Sequence, residues 1–212
     1  MKNYSSIICG LFFLTQIHAY SQNQNLGNKL RFGFKAGNNF SNVQVSQTNE
    51  FASSGKFGMA AGLYLGYPVG RLLGFQTEVL FSQKGYKTTG TLSGNKFNLT
   101  RISNFIDVPL LISINAAKFM TVQFGPQFSY LANQKDTFSD SSVTVEQQSL
   151  FSNNTPRKNI FSFTGGIDFN LKTITIGTRA GIDIQNNNGD GSIPNPRYKN
   201  IWLQATLGVN IF

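Results

Sequence analysis

Large apolar residues alternate with small or polar ones in eight stretches of this chain, and on the apolar-rich parity no position carries a charge. Between Lys56 and Tyr67, for example, one parity reads Phe57, Met59, Ala61, Leu63, Leu65 and Tyr67. The other reads Gly58, Ala60, Gly62, Tyr64 and Gly66. Period 2 is the spacing of a strand whose two faces meet different surroundings. The pattern predicts strands over 30–41, 56–67, 74–86, 99–113, 119–131, 159–169, 173–184 and 200–211, each long enough to cross a tilted bilayer path. Clusters of Gly, Asn and Ser separate them, and no segment sustains a helical period. Connectors 68–73, 114–118 and 170–172 are short, whereas 42–55, 87–98, 132–158 and 185–199 are long. This alternation predicts an all-β fold, an eight-stranded antiparallel up-and-down transmembrane barrel with short periplasmic turns and long extracellular loops.

Parity assigns the sides. Phe34, Phe40, Phe75, Val79, Ile106, Leu110, Phe124, Phe128, Phe163, Ile176, Leu203 and Leu207 are among the residues expected to face outward. A Lys or Arg at the bilayer midplane on such a face costs about 2–4 kcal/mol, so an uncharged column is what lipid would enforce. Aromatics gather near the strand ends, Phe40, Phe57, Phe81, Tyr130 and Phe161 toward the loops and Phe32, Tyr67, Phe75 and Phe169 toward the turns, as in two interfacial girdles. The opposite parity carries Lys35, Glu78, Lys84, Arg101, Asp107, Asp168, Arg179 and Asp183, four of each sign, among many glycines. Eight strands leave an interior only wide enough for side chains, and charges persist there when paired. The expectation is a closed, ion-paired lumen.

Composition narrows the chemistry. Only residues 1–21 contain an unbroken apolar core: Lys2 precedes Ile7–Leu14, and Ala19 and Ser21 supply a small-residue cleavage pattern. That reads as a removed secretory signal, leaving 22–212 as one barrel domain. Cys9 lacks the small residue that lipoprotein processing wants before it. Removal of 1–21 takes away Cys9 and His18, the one cysteine and the one histidine of the chain. Thiol nucleophiles, histidine bases and most zinc sites then drop out, so neither an enzyme nor a cofactor is expected. Net charge is +9, and loss of Lys2 leaves +8. The basic residues form no run, so anionic membrane surfaces rather than nucleic acid are the expected partner.

Several ordered patterns, Gly33-Phe-Lys-Ala-Gly-Asn-Asn-Phe-Ser41, Glu78-Val-Leu-Phe-Ser-Gln-Lys-Gly85, Phe105-Ile-Asp-Val-Pro-Leu-Leu111, Gly125-Pro126 and Arg179, resemble the PorT-like outer-membrane β-barrel family common in Bacteroidetes. The resemblance covers most of the chain after residue 21. It implies an eight-stranded barrel in the outer membrane of a Gram-negative cell, and it does not by itself bring the secretion role of the family's namesake. One departure is Phe212, which falls on the lumen parity although a terminal aromatic in such barrels usually faces lipid.

Other features have a functional and a plain reading. Glu78 with Arg101, Lys84, Asp107 and Arg179 could bind or gate, or simply fill the lumen electrostatically; filling is the simpler account. The stretch Asn186-Asn-Asn-Gly-Asp-Gly-Ser192 is similar to the start of a calcium loop but has Arg197 where a bidentate Glu belongs, so a turn-rich loop fits better. The segment 132–158, with Phe138, Val143, Val145, Leu150 and Phe151, is either a partner-contacting loop or a hairpin extension of its flanking strands. Lys29, Arg31, Arg71, Lys118 and Lys172 lie near the turns, where a periplasmic protein or anionic head groups could meet them. Lys56, Lys87, Lys96, Arg157, Lys158, Arg197 and Lys199 lie on the loop side, suited to lipopolysaccharide phosphates. The expected form is a monomeric barrel with a structural or surface-interaction role, as an accessory to export in one version. A soluble lipocalin-like barrel that binds an apolar ligand is the alternative.

Overall fold

The computed structural model describes residues 30–45, 53–92, 95–139, 144–147, 156–187 and 197–211. Among them are nine strands: β1 (Arg31–Val45), β2 (Ser53–Pro68), β3 (Leu73–Leu92), β4 (Asn95–Ala117), β5 (Met120–Ser139), β6 (Thr144–Gln147), β7 (Asn159–Leu171), β8 (Ile174–Asp183) and β9 (Tyr198–Asn210). Each pairs antiparallel with its neighbour, β4 pairs β5, and β1 pairs β9, so β1–β5 and β7–β9 close into an eight-stranded barrel. Closure leaves none of these eight a free edge within the barrel wall, the condition for backbone to cross lipid. No described segment forms a helix long and apolar enough to span a membrane; the long elements are strands.

The sides follow the alternation. Phe34, Met59, Leu63, Phe75, Val79, Leu110, Phe163, Leu203 and Leu207 are exposed on the outer wall, while Lys35, Glu78, Lys84, Arg101, Asp107, Asp168, Arg179 and Asp183 are buried inside. A soluble ligand-binding barrel needs the reverse, a polar outside and an apolar inside. Near the loop side, girdle aromatics pair across strands: Phe40 with Phe57 at 5.0 Å and Phe128 with Phe161 at 5.5 Å between ring centres. Tyr67 and Phe75 are register partners at the turn side.

Three register irregularities interrupt the wall among the described residues, one of them at the turn end of β4, where Asn115 pairs Thr121 and Ala117 pairs Met120. One extra residue on β2 interrupts its pairing with β3 between Gly55 and Ala60. There, Ser41 on β1 reaches past β2, accepting from the Gly85 amide at 2.8 Å and donating to the Gly85 carbonyl at 2.9 Å. Asn39 likewise donates to the Gln83 carbonyl at 3.1 Å, so side chains satisfy backbone groups that the bulge leaves unpaired. Another bulge lies in β5, where Asn104 pairs Asn133 and Phe105 pairs Leu131, leaving Ala132 without a partner residue on β4.

The loop side differs from the sequence expectation. Residues 87–98, expected as a loop, belong mostly to β3 and β4, which stay paired from Leu92 opposite Asn95 down into the barrel. Beyond the girdle no lipid enforces alternation, so that stretch carries no period-2 signal of its own. β5 likewise continues to Ser139 and pairs with β6, Phe138 lying opposite Val145. The hairpin reading of 132–158 thus holds in part, formed by β5 and β6 rather than by the two flanking wall strands. The leader segment 1–21 with Cys9 and His18, as well as Lys29, Val143, Leu150, Phe151 and Phe212, lies outside the described residues.

Candidate functional site

The lumen holds charge in separate layers rather than in one cluster. Deepest, between the turn-side and loop-side girdles, Glu78 on β3 is 1% exposed and accepts from three strands. Lys35 Nζ on β1 lies 2.7 Å from Oε1, and Arg179 on β8 donates through Nη1 to Oε2 at 2.9 Å and through Nη2 to Oε1 at 3.0 Å. Gln76 Nε2 donates to the same Oε1 at 2.7 Å, and Arg179 Nη2 also donates to Gln123 Oε1 on β5 at 3.0 Å. A carboxylate bound bidentately by a guanidinium and again by an ammonium has its lone pairs satisfied, which is what makes a buried ion pair tolerable.

Further toward the loops, Lys84 sits 3.0 Å from Asp107 and is 1% exposed. Its ammonium lies 3.8 Å from the Trp202 ring centre and 4.9 Å from that of Phe105, a cation held between aromatic faces and an acid. Trp202 fits because Gly181 faces it: a Cβ at Gly181 would collide with the indole ring. Asp183 makes no ion pair among the described residues. It accepts instead from Ser162 Oγ at 2.7 Å, from Asn200 Nδ2 at 2.5 Å and from the Asn200 amide at 3.1 Å.

Arg101 does not join the Glu78 layer. It lies farther out and clamps Asp136 with Nε at 2.7 Å and Nη2 at 2.6 Å, while Nη1 donates to the Tyr198 hydroxyl at 3.3 Å. Tyr198 and Tyr86 meet edge to face at 5.3 Å and pack with Val43, closing the loop end over the charges. The expected cluster of Glu78, Arg101, Lys84, Asp107 and Arg179 is therefore divided into three. Pairing in a barrel depends on cross-lumen register, which residue spacing does not carry.

Asp136 is the participant that sequence reasoning missed. It falls in the segment 132–158 that the sequence predicts as a loop, and continued alternation from Leu131 would also turn it outward. The extra residue at Ala132 shifts β5 by one position, so Ala132 and Asn133 are both exposed and Asp136 points in. A buried Arg on β4 without an acid in reach was the available hint. The calcium-like stretch is described only at its start, where Asn187 Oδ1 accepts from the Tyr198 amide at 3.0 Å and serves the backbone. Of the candidate partner residues, Phe138 is half-buried on the β5 extension. Lys87, Lys158 and Arg197 are exposed on the loop side, and Arg71, Lys118 and Lys172 at the turns.

A closed barrel with an apolar outer belt and an ion-paired interior defines a transmembrane β-barrel protein. Residues 20–211 match the family described as "Outer membrane protein beta-barrel domain", and the chain belongs to that family, which places it in the outer membrane. Among solved structures it is similar to Neisserial surface protein A, at 11% identity and a TM-score of 0.48 over 85% of this chain and 97% of that one. It is also similar to Ail, the attachment invasion locus protein of Yersinia pestis, at 12% identity and a TM-score of 0.44 over 84% and 97%. OprG from Pseudomonas aeruginosa gives 13% and 0.43 over 86% and 94%. None of the curated proteins compared with it matches.

Proposed function

We propose that this protein is a sealed outer-membrane barrel with a structural and surface-interaction role, exported by a leader at residues 1–21 and working through the sheet that rises beyond its loop-side girdle. The observation that carries this reading is the Glu78 layer: residues from β1, β3, β5 and β8 meet across the lumen with their polar atoms mutually bonded. Such a plug opposes solute passage and leaves the outer surface as the place to act. There, β3, β4 and β5 continue past the Tyr86–Tyr198 contact, and the Arg101–Asp136 clamp holds β4 to β5 at the base of that extension. Rigid strands present side chains at lower entropic cost than loops do. Exposed Lys87, Lys158 and Arg197 suit lipopolysaccharide phosphates.

The PorT-like resemblance supports a narrower version, an accessory to protein export in a Bacteroidetes-type envelope. Planar-bilayer recording tests the seal: the wild-type barrel gives no steady current, and Glu78→Ala gives open events. Steady wild-type currents would overturn it. Photocrosslinkers at Lys87 and Phe138 in intact cells should capture a surface partner that crosslinkers at Lys172 do not. If instead deletion abolishes secretion and only the Lys172 probe captures protein, the export version replaces the surface one.

A further inference from the structure

The turn end of the barrel is not filled. Beneath the Gln76–Gln123 layer a cavity of about 650 Å³ opens between the ends of the wall strands, and three cations, Arg31, Arg71 and Lys118, lie in its lining with no acidic residue among them. Among the described residues none of the three is in an ion pair. Arg31 is half-buried in that lining. A Cβ added at Gly66 would lie 3.4 Å from its Nε and 3.5 Å from Gln76 Oε1, so the guanidinium lies across bare backbone with Gln76 beside it.

The rest of the wall is a fixed set of neutral hydrogen-bonding groups. Asn170 Nδ2 donates to Thr121 Oγ1 at 2.9 Å, Thr121 Oγ1 donates to Asn115 Oδ1 at 3.1 Å, and Asn115 Nδ2 donates to the Arg71 carbonyl at 3.3 Å. This chain ties the turn that carries Arg71 to β4, β5 and β7. Asp168, the register partner of Thr121, is a buried acid nearby, and the three cations outnumber it.

We propose that this vestibule is a binding site for a phosphate ester presented from the turn side of the membrane. Guanidinium and ammonium groups are the usual donors to a tetrahedral oxyanion, and here three of them line one cavity with no acid among its lining residues. The same chemistry is offered by the head group of an anionic phospholipid and by a soluble phosphate ester. The inference does not depend on what the loop side contacts.

The test uses the full barrel in a neutral detergent, titrated with glycerol 3-phosphate by calorimetry, and in lipid discs that contain phosphatidylglycerol or phosphatidylcholine alone, read by native mass spectrometry for retained lipid. Saturable binding that weakens with salt is expected. The combined variant Arg31→Gln, Arg71→Gln, Lys118→Gln should lose at least tenfold in affinity, while Lys172→Gln, outside the lining, stays within twofold. Heat-shifted gel migration of the triple variant confirms that it folds. Binding of the ester in detergent points to a soluble ligand; retention of phosphatidylglycerol alone points to a lipid head group. Absence of both, an unaffected triple variant, or an equal loss in Lys172→Gln would overturn the proposal.

Discussion

The Glu78 layer and the Arg101–Asp136 clamp use the same chemistry for different mechanical ends. Glu78 gathers Lys35 from β1 and Arg179 from β8, strands that are not its register neighbours, so its bonds run across the lumen. Arg101 and Asp136 are direct register partners on β4 and β5, so their bond runs along the wall. The first braces the barrel against opening; the second locks a local extension. Buried ion pairs of similar length therefore need not contribute alike, and topology decides which is which.

Glu78→Gln is the sharpest way to break the comparison. It leaves Lys35 and Arg179 buried together without their acid, and loss of about 3–5 kcal/mol is expected for such an uncompensated charge. Urea unfolding in lipid vesicles, followed through Trp202 as the one tryptophan in the chain, measures it. A loss below that for Lys35→Met, which leaves Glu78 still bonded to Arg179, would contradict the bracing role.

Next in size is Leu63→Arg on the outer wall, between Phe34 and Val79 in register and half exposed to the surroundings. Lipid at mid-belt makes it cost about 2–4 kcal/mol in the same unfolding measurement. A neutral result would mean that water, not hydrocarbon, covers this face.

Asp107→Asn should come third. It strips Lys84 of its acid while Trp202 and Phe105 still face the ammonium, so about 1–3 kcal/mol is expected with a change in Trp202 emission. An unchanged spectrum would place the ammonium elsewhere.

Arg101→Met should move the global midpoint by under about 1 kcal/mol while raising amide exchange at 98–101 and 134–138. Exchange at 105–113 should stay as it is. If the whole of β4 loosens together, the clamp is part of the brace and the distinction fails.

Where the sequence was legible, two solvents had written on it. Lipid excludes charge from one parity and leaves the ionic residues to the other, so Phe34 against Lys35 or Val79 against Glu78 could be placed from alternation alone. Outside the girdle that double constraint ends, and the extension of β3 and β4 left no period to read. Asp136 was lost to a single extra residue at Ala132, since a bulge reverses parity without altering composition. The partners of Arg101 and Lys84 were illegible for another reason: which charges meet is set by stagger around the closed barrel. The turn-side cavity was half visible, as a set of cations without acids, but its enclosure comes from closure of the sheet.

Most of this rests on hydrocarbon covering the odd-numbered face of β2. Spin labels at successive positions 59–65, introduced by single cysteine substitutions in a Cys9→Ser chain and reconstituted in lipid vesicles, test it directly. Oxygen collision should peak at 59, 61, 63 and 65 with the water-soluble nickel reagent low there, and oxygen should fall at 60, 62 and 64. Equal exposure along the strand, or oxygen peaks at the even positions, would contradict the account.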